Sequence, residues 1–446
     1  MSFLLFAKNK LSRLPYPVGW TVAQLPFSYR PGIAGVYNRR RRDIAAMSQL
    51  PGPQRQKFVF AKVTSIACWA YNNVPFYTDL YMAHGVDPTK FRDFQDILTL
   101  PVVTKQALQE VPIEYRSAKL PRKSLENTGG SSGQPLNFYI EPDSIAHEWA
   151  HMHSIWQQVG YRSNHLKVVF AGRSSIRDVL DYDSVRHHYA ADIYAGWGAV
   201  ADKIMALPSV VRPKFLHGYP SAIFDFVQWL DIHGHPLLKV LRSQIRGLML
   251  GSEYPTPEAR ARTEKLLGCS SVSWYGHTER AILAREIGDK SVYHPFPSYG
   301  FVESIGGDDG NRLLGTSYYN RASPFIRYDT GDLVEAESAD GIVESFRVVK
   351  GRSGDFIIDK AGNKVFLTGL IFGRHHKIFD YSRFLQVRQD APGSASILIV
   401  PKGQGREDWR SLFDGSNLKI DLKFCELPEP VRTTSGKVPL LIKEYR

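Results

Sequence analysis

Between Gln56 and Asn73 apolar residues recur at helical spacing, and prolines at positions 15, 17, 26, 31, 51 and 53 punctuate the chain before them. Residues 1 to about 125 therefore read mainly as helices joined by proline-containing turns. From about 125 to 335 the pattern alternates. Leu136–Ile140, Leu166–Phe170, Phe215–Tyr219, Gly247–Leu250 and Ser271–Tyr275 read as strands, with helices over Asp143–Gln158 and about Ser221–His233. A strand, helix, strand rhythm predicts an α/β unit with ligands at strand ends. Past Gly351, short strands such as Phe356–Ile358 and Ser396–Val400 alternate with polar turns, predicting a smaller α+β unit. The junction Lys350–Asp355 carries two glycines and reads as a hinge.

At 446 residues the chain exceeds one ordinary core. No apolar run reaches the roughly 18 residues that a membrane helix needs. Met1–Ala7 is too short in its apolar part for a secretory signal. Followed by Lys8, Lys10 and Arg13, it leaves a short peripheral anchor on a membrane surface as an alternative. Cys68, Cys269 and Cys425 lie far apart without CxxC spacing, which suits a reducing cytosol better than a disulfide framework or zinc site. The net charge of +12 suggests an anionic partner such as a nucleotide, CoA or the inner membrane face. Nucleic acid is the weaker reading: Arg39–Arg42 is short, no nucleic-acid module accompanies it, and a solvated helix face explains it.

The loop Thr128-Gly129-Gly130-Ser131-Ser132-Gly133-Gln134-Pro135 comes after an irregular stretch and precedes a strand. Its glycines permit close backbone approach, and its hydroxyls can donate to phosphate oxygens. It is not GxxxxGK[ST], and taken alone such a stretch is most often a flexible loop. Within each pair (His151 with His153, His187 with His188, His375 with His376) the histidines do not have HExxH spacing, and they read as structural or surface residues. The loop's Gly129-Gly130-Ser131-Ser132-Gly133 has GxSxG spacing but precedes a strand, not a helix, so no elbow supports a serine hydrolase, and no GxGxxG follows a strand.

From this loop onward the chain resembles, in order, the motif set of the adenylate-forming superfamily of acyl-CoA synthetases, adenylation domains and luciferases. Gly251-Ser252-Glu253 resembles the segment lying against adenine. Tyr275-Gly276-His277-Thr278-Glu279 resembles Y-G-x-T-E, and Tyr328-Asp329-Thr330-Gly331-Asp332 resembles Y-x-T-G-D. Gly351-Arg352-Ser353-Gly354-Asp355 resembles the junction G-R-x-x-D, and the segment from Pro430 to Lys437 resembles P-[RK]-T-x-S-G-K. Within the superfamily the likeness is to the phenylacetate-CoA ligase and CapK branch. The loop, His217–Ser221 and Ser323–Tyr328 carry it.

The resemblance implies ATP, Mg²⁺ and CoA as reactant, metal and co-substrate. It implies that Thr128, Gly129, Gly130, Ser131, Ser132 and Gly133 cradle phosphate, that Gly251, Ser252, Glu253, Tyr275 and Gly276 flank adenine, and that Glu279 holds the metal. Thr278 would donate to the α-phosphate, Asp332 would accept the ribose hydroxyls, and Arg352 would reach ribose or phosphate. Lys437 would be the catalytic cation, since an ammonium is most effective in a closed site. The acyl pocket would be lined from Trp149 to Trp156, around Tyr219 and from Tyr275 to Ala281. Two departures stand out: the pivot falls on Gly354 or Asp355, and Val431 is inserted before Arg432. The cysteine-rich insertion of some relatives is missing, so no structural zinc is expected.

The expected fold is thus α/β: a large adenylation domain over 1–351 and a small mobile α+β domain over 352–446 carrying Lys437. The implied function is ATP-dependent adenylation of a carboxylic acid, with pyrophosphate release and acyl transfer to CoA. An amine or hydroxyl of a sugar or polysaccharide precursor is the rival acceptor, CapK-type proteins being associated with surface polysaccharide. AMP transfer without acyl transfer, and a non-catalytic scaffold, are further alternatives. A cytoplasmic location is expected, with the membrane's inner face as an alternative.

Overall fold

A computed structural model describes residues 11–29, 33–48, 50–128, 136–172, 176–307, 310–349, 355–372, 374, 376–403, 408–432 and 438–442. The first part is helical as expected: α1 (Tyr16–Gln24), α2 (Ala34–Met47), α3 (Gly52–Asn73), α4 (Pro75–Ala83), α5 (Phe94–Ile97) and α6 (Lys105–Gln109). Proline stands in the first turn of α1, α3 and α4, where its missing N–H costs nothing. α3 buries Val59, Val63, Ile66, Ala67 and Ala70, one face at helical spacing, against a core that includes Phe301 and Leu313.

β1 (Ser124–Asn127) and β2 (Asn137–Ile140) form an antiparallel hairpin that brackets the 128–135 loop. The stretch before the loop is therefore a strand, not irregular. Its sequence Ser-Leu-Glu-Asn is polar, and Ser124 and Leu125 are exposed, so hydrophobic pattern could not reveal it.

After α7 (Pro142–Trp156) come β3 (Lys167–Phe170), β4 (Leu180–Asp183), β5 (His188–Ala191), α8 (Trp197–Met205), β6 (Phe215–Gly218), α9 (Pro220–Ile232), α10 (Leu237–Gln244), β7 (Gly247–Leu250), α11 (Pro257–Leu267) and β8 (Ser270–Gly276). The chain continues through β9 (Leu283–Glu286), β10 (Tyr293–Pro295), β11 (Gly300–Gly307), β12 (Gly310–Ser317), β13 (Tyr328–Ala339) and β14 (Ile342–Val348). All strands from β3 to β14 belong to one twelve-stranded sheet of order β11-β12-β13-β14-β10-β9-β8-β7-β6-β3-β5-β4. β5, β3, β6, β7 and β8 run parallel, whereas the β9-to-β11 side is antiparallel.

β8 is the seam. Its first half, Ser270–Ser273, pairs parallel with β7, and its second half, Trp274–Gly276, pairs antiparallel with β9. A fully buried ion pair locks this place. Arg260 of α11 binds Glu286 of β9 through two bonds of 2.6 and 2.8 Å, while its Nε donates to Ser271 of β8 at 2.6 Å. Glu286 also accepts from the backbone N–H groups of Ser273 and Ser291, so the buried charges are well satisfied.

Beyond residue 355, β15 (Phe356–Ile358) pairs with β16 (Lys364–Phe366). α12 (Ile378–Tyr381) precedes a second sheet of order β19-β18-β17-β20, made of β17 (Ser382–Ala391), β18 (Ser394–Pro401), β19 (Asp421–Glu426) and β20 (Leu441–Ile442). Its inner residues, among them Leu385 and Ile397, share one apolar cluster with Val365 of β16 and with Val168, Leu216 and Phe226 of the parallel half. Polar contacts reinforce the join. Tyr194 Oη donates to the Phe366 carbonyl at 3.2 Å, Asn417 reaches Asp192 at 3.1 Å, and Lys364 pairs with Asp225.

Candidate active site

The chain leaves β8 at Gly276, the carboxyl end of a parallel strand and the point where sheet polarity changes. Such points are where α/β sheets present ligand sites. The next turn carries Thr278, partly exposed, and Glu279, buried. Beside it, β13 begins with Tyr328, held by a parallel bridge to Val103. The two motifs are cross-bonded. Tyr275 Oη donates to Asp332 Oδ2 at 2.6 Å, and Tyr328 Oη donates to Glu279 Oε1 at 3.0 Å. The leading tyrosine of each motif thus holds the closing carboxylate of the other.

Glu279 is the more buried of the two acids, and burial alone would raise its pKa. The hydrogen bond and charge of His277, whose Nδ1 lies 3.1 Å from Oε2, and the charge of Lys105 outweigh that effect. They hold the carboxyl down at about 2. An ionised carboxylate is thereby kept in a site where solvation alone would not keep it. Asp332 sits on a tight turn: Gly331 has φ +74°, its N–H donates to Asp329 Oδ1 at 2.9 Å, and Asp332 N–H donates to Thr330 Oγ1 at 3.2 Å. Asp329 is in turn paired with Arg312 at 2.7 Å.

Gly251-Ser252-Glu253 comes directly after β7 on the same edge of the sheet. A Cβ on Gly251 would lie 2.1 Å from the Trp274 ring, so only glycine lets β7 pass that indole. Gly218, at φ +139°, passes the Phe170 carbonyl equally closely. Ser252 has φ +70°, an uncommon backbone state for a serine. Glu253 is buried and its Oε2 accepts from Ser221 N–H at 3.1 Å, at the amino end of α9. Thr128 is buried at the loop's entrance: its N–H donates to the Leu136 carbonyl at 3.0 Å, and its Oγ1 accepts from Leu136 N–H at 2.9 Å. That pair of bonds closes the base of the loop. Gly129, Gly130, Ser131, Ser132, Gly133, Arg352, Ser353, Gly354 and Lys437 lie outside the described residues.

Four residues near the site escaped the motif reading. Tyr328 stands inside a motif but had no role assigned, His277 figured only in the Tyr275–Ala281 stretch expected to line the acyl pocket, and Lys105 comes from a helix with no motif at all. Arg280, next to Glu279, adopts φ +55° and donates to Glu148 of α7 at 2.7 Å. Among the described residues its Nη1 has no hydrogen-bond partner, and the same holds for Nδ1 of the buried His147 beside Glu148. His147 stacks on Tyr319 at 3.8 Å, and burial with neighbouring Arg40 pushes its pKa down to about 2. This polar wall belongs to the helix expected to line the acyl pocket, where the sequence drew attention to aromatics. The stretch His147-Glu148-Trp149-Ala150-His151 has the H-E-x-x-H spacing, which a reading of the histidines in pairs passes over; both ring nitrogens of His151 are taken by the His147 carbonyl and Ser298.

No family model matches the chain. It is 24% identical over 319 residues to the phenylacetate-coenzyme A ligase of Escherichia coli, across 66% of this chain and 70% of that one. The ligase of the same name from Thermus thermophilus is 21% identical over 355 residues, covering 71% and 74%. Protein CapK of Staphylococcus aureus is 20% identical over 297 residues, covering 64% and 65%. In fold the chain is similar to a 2-hydroxyisobutyryl-CoA ligase in complex with 2-HIB-AMP and CoA in the thioesterification state. That likeness has a TM-score of 0.54 at 15% identity and covers 88% of this chain and 90% of that one. The fold is similar to that of a CoA ligase holding an acyl-adenylate, and the ordered motifs and curated relatives support an AMP-forming ligase of the adenylate-forming type. Among these relatives the similarity is to the phenylacetate-CoA ligase and CapK-like branch.

Proposed function

We propose that the protein activates a carboxylic acid with ATP and passes the acyl group to CoA. A substrate carboxylate oxygen attacks the α-phosphorus, the bond to the bridging oxygen breaks, and pyrophosphate leaves. The CoA thiolate then attacks the acyl carbon and AMP departs. The observation that carries this reading is the cross-bond of Tyr275 to Asp332 and Tyr328 to Glu279, which fixes two acids on one ledge at the end of β8.

In this reading Asp332, an acceptor-only group when ionised, takes the ribose hydroxyls while Tyr275 orients it. Gly251, Ser252, Glu253 and Gly276 border the adenine, and Thr128 with the 129–133 loop faces the phosphates together with Thr278. Glu279 suits Mg²⁺, which is bound through one or two carboxylates and completed by phosphate oxygens and water. Among the described residues no cluster of three or more His, Cys, Asp or Glu offers an all-protein metal cage. When bound there, Mg²⁺ would neutralise phosphate charge. Arg352 and Lys437 would arrive from a domain spanning 352–446 that moves against 1–351, Lys437 countering charge that builds on the transferring phosphoryl group.

The rival acceptor is an amine or hydroxyl of a sugar or polysaccharide precursor. ATP–pyrophosphate exchange across a panel of carboxylic acids tests the first step. Exchange with no acid would remove the ligase reading. AMP release without thioester when CoA is supplied would move the acceptor to the amine or hydroxyl.

A further inference from the structure

The helix α1 is packed inside out. It buries its smallest residues, Gly19 and Ala23, and leaves its largest ones in water. Gly19 lies against Tyr182 and Ser184, in and just after the edge strand β4, so closely that a Cβ there would fall 2.1 Å from the Tyr182 hydroxyl. Leu11, Val18, Trp20, Val22, Leu25 and Tyr29 are exposed, Trp20 to 49% and Tyr29 to 74%. Folding energy alone favours the reverse orientation, since burying a large apolar side chain is worth roughly 1.5–3 kcal/mol. An apolar patch of this size in one short segment marks a contact surface.

The segment is nevertheless firmly seated. Tyr16 packs on Tyr182 and His187, Ser184 N–H donates to the Ser12 carbonyl at 3.1 Å, and Phe27 is buried against Tyr37, Trp149 and His153. The exposed side chains are therefore presented on a fixed platform.

Charge identifies the partner. Residues 1–42 contain Lys8, Lys10, Arg13, Arg30 and Arg39–Arg42, and no acidic residue precedes Asp43. Arg13, Arg39 and Arg42 are exposed. Large apolar side chains that include tryptophan and tyrosine, accompanied by cations alone, match the interface of an anionic bilayer. A protein partner or a second copy supplies apolar surface but no reason for the exposed cations Arg13, Arg39 and Arg42; Arg40 is instead mostly buried and paired with Asp43. We propose that α1 and its flanks, residues 11–29, seat the protein on an anionic lipid surface. The proposal is independent of which acid or acceptor the enzyme uses.

The test is sedimentation of the full chain with vesicles of phosphatidylcholine alone or with about one third phosphatidylglycerol, at low and high salt. Binding is expected to the anionic vesicles only, and to weaken with salt. Trp20→Ser with Leu25→Ser should reduce partitioning by about ten-fold or more, while melting temperature and adenylation in solution stay unchanged. Failure of the wild type to bind anionic vesicles would overturn the proposal, as would unchanged binding by the double variant. A dimer in solution that the same double variant dissociates, with no vesicle binding, would assign the face to a second copy instead.

Discussion

Tyr328 donates to Glu279 across 49 residues of sequence, at 3.0 Å, and so ties the opening of one nucleotide motif to the close of the other. Tyr275 makes the reciprocal bond to Asp332. Hydrogen bonds to charged groups contribute about 1.5–3 kcal/mol. Tyr328→Phe should lower the rate of adenylate formation by roughly 10- to 100-fold with ATP affinity nearly kept. Tyr275→Phe should mainly raise the KM for ATP. Exchange kinetics of both variants and their double mutant check this, and equal effects on KM would contradict the division of labour.

Lys437 is expected to act on the chemical step. Lys437→Ala should cost on the order of a thousand-fold in ATP–pyrophosphate exchange, as loss of a preorganised charge does. ATP binding, measured by calorimetry, should change by only a few-fold. Unaltered exchange would take the lysine out of the reaction.

Gly251 is a packing requirement with a specific partner. Gly251→Ala places a methyl into the Trp274 ring and should destabilise the protein by about 1–3 kcal/mol, with a higher KM for ATP. Trp274→Phe in the same chain should recover part of the loss in melting temperature. No recovery would locate the strain elsewhere.

His151 sets a pH limit on stability. It is fully buried, with Nδ1 2.8 Å from the His147 carbonyl and Nε2 2.9 Å from the Ser298 hydroxyl, so both nitrogens are satisfied in the neutral ring. Burial, aided by Arg40, pushes its pKa down to about 3. In the unfolded chain it titrates near ~6.5, so the unfolded state binds the extra proton between these values. Stability is therefore full above pH ~6.5 and falls as pH drops towards 3, by up to about 1.4 kcal/mol per unit for this group. Urea midpoints from pH 7 to 4 should slope less steeply in His151→Asn, which starts less stable at pH 7. Parallel slopes would refute the assignment.

The parallel half was legible because its strands are buried on both faces. Val168–Phe170 and Gly247–Leu250 read as short continuous apolar runs, and α9 between them is periodic, whereas β4, β5 and helices α8, α10 and α11 went unread. The antiparallel strands β9 to β14 were not. Segments such as Gly310-Asn311-Arg312-Leu313-Leu314-Gly315 mix glycine, charge and aliphatic residues without clean alternation, and the pairing of β12 with β13 shifts register between Arg312 and Leu314. The acids of the site were found through motif order alone. Their cross-bonding was invisible because it depends on how far the chain turns between β8 and β13. The inward glycine of α1 was equally hidden, since periodicity predicts that large residues, not Gly19, face the protein.

The seam at β8 also decides when the molecule can work. Strands β11 to β14 are near neighbours along the chain, whereas β3 to β8 need helical crossovers and slower, non-local closure. Tyr275 and Asp332 lie on the antiparallel side, whereas Gly251, Ser252 and Glu253 follow β7 on the parallel side. If these residues border the nucleotide as proposed, binding it is a property of the completed joint, and ATP would stabilise only molecules in which the joint has formed. During refolding, recovery of ATP binding should trail recovery of helical and strand signal, which makes the nucleotide itself a reporter of the last assembly step.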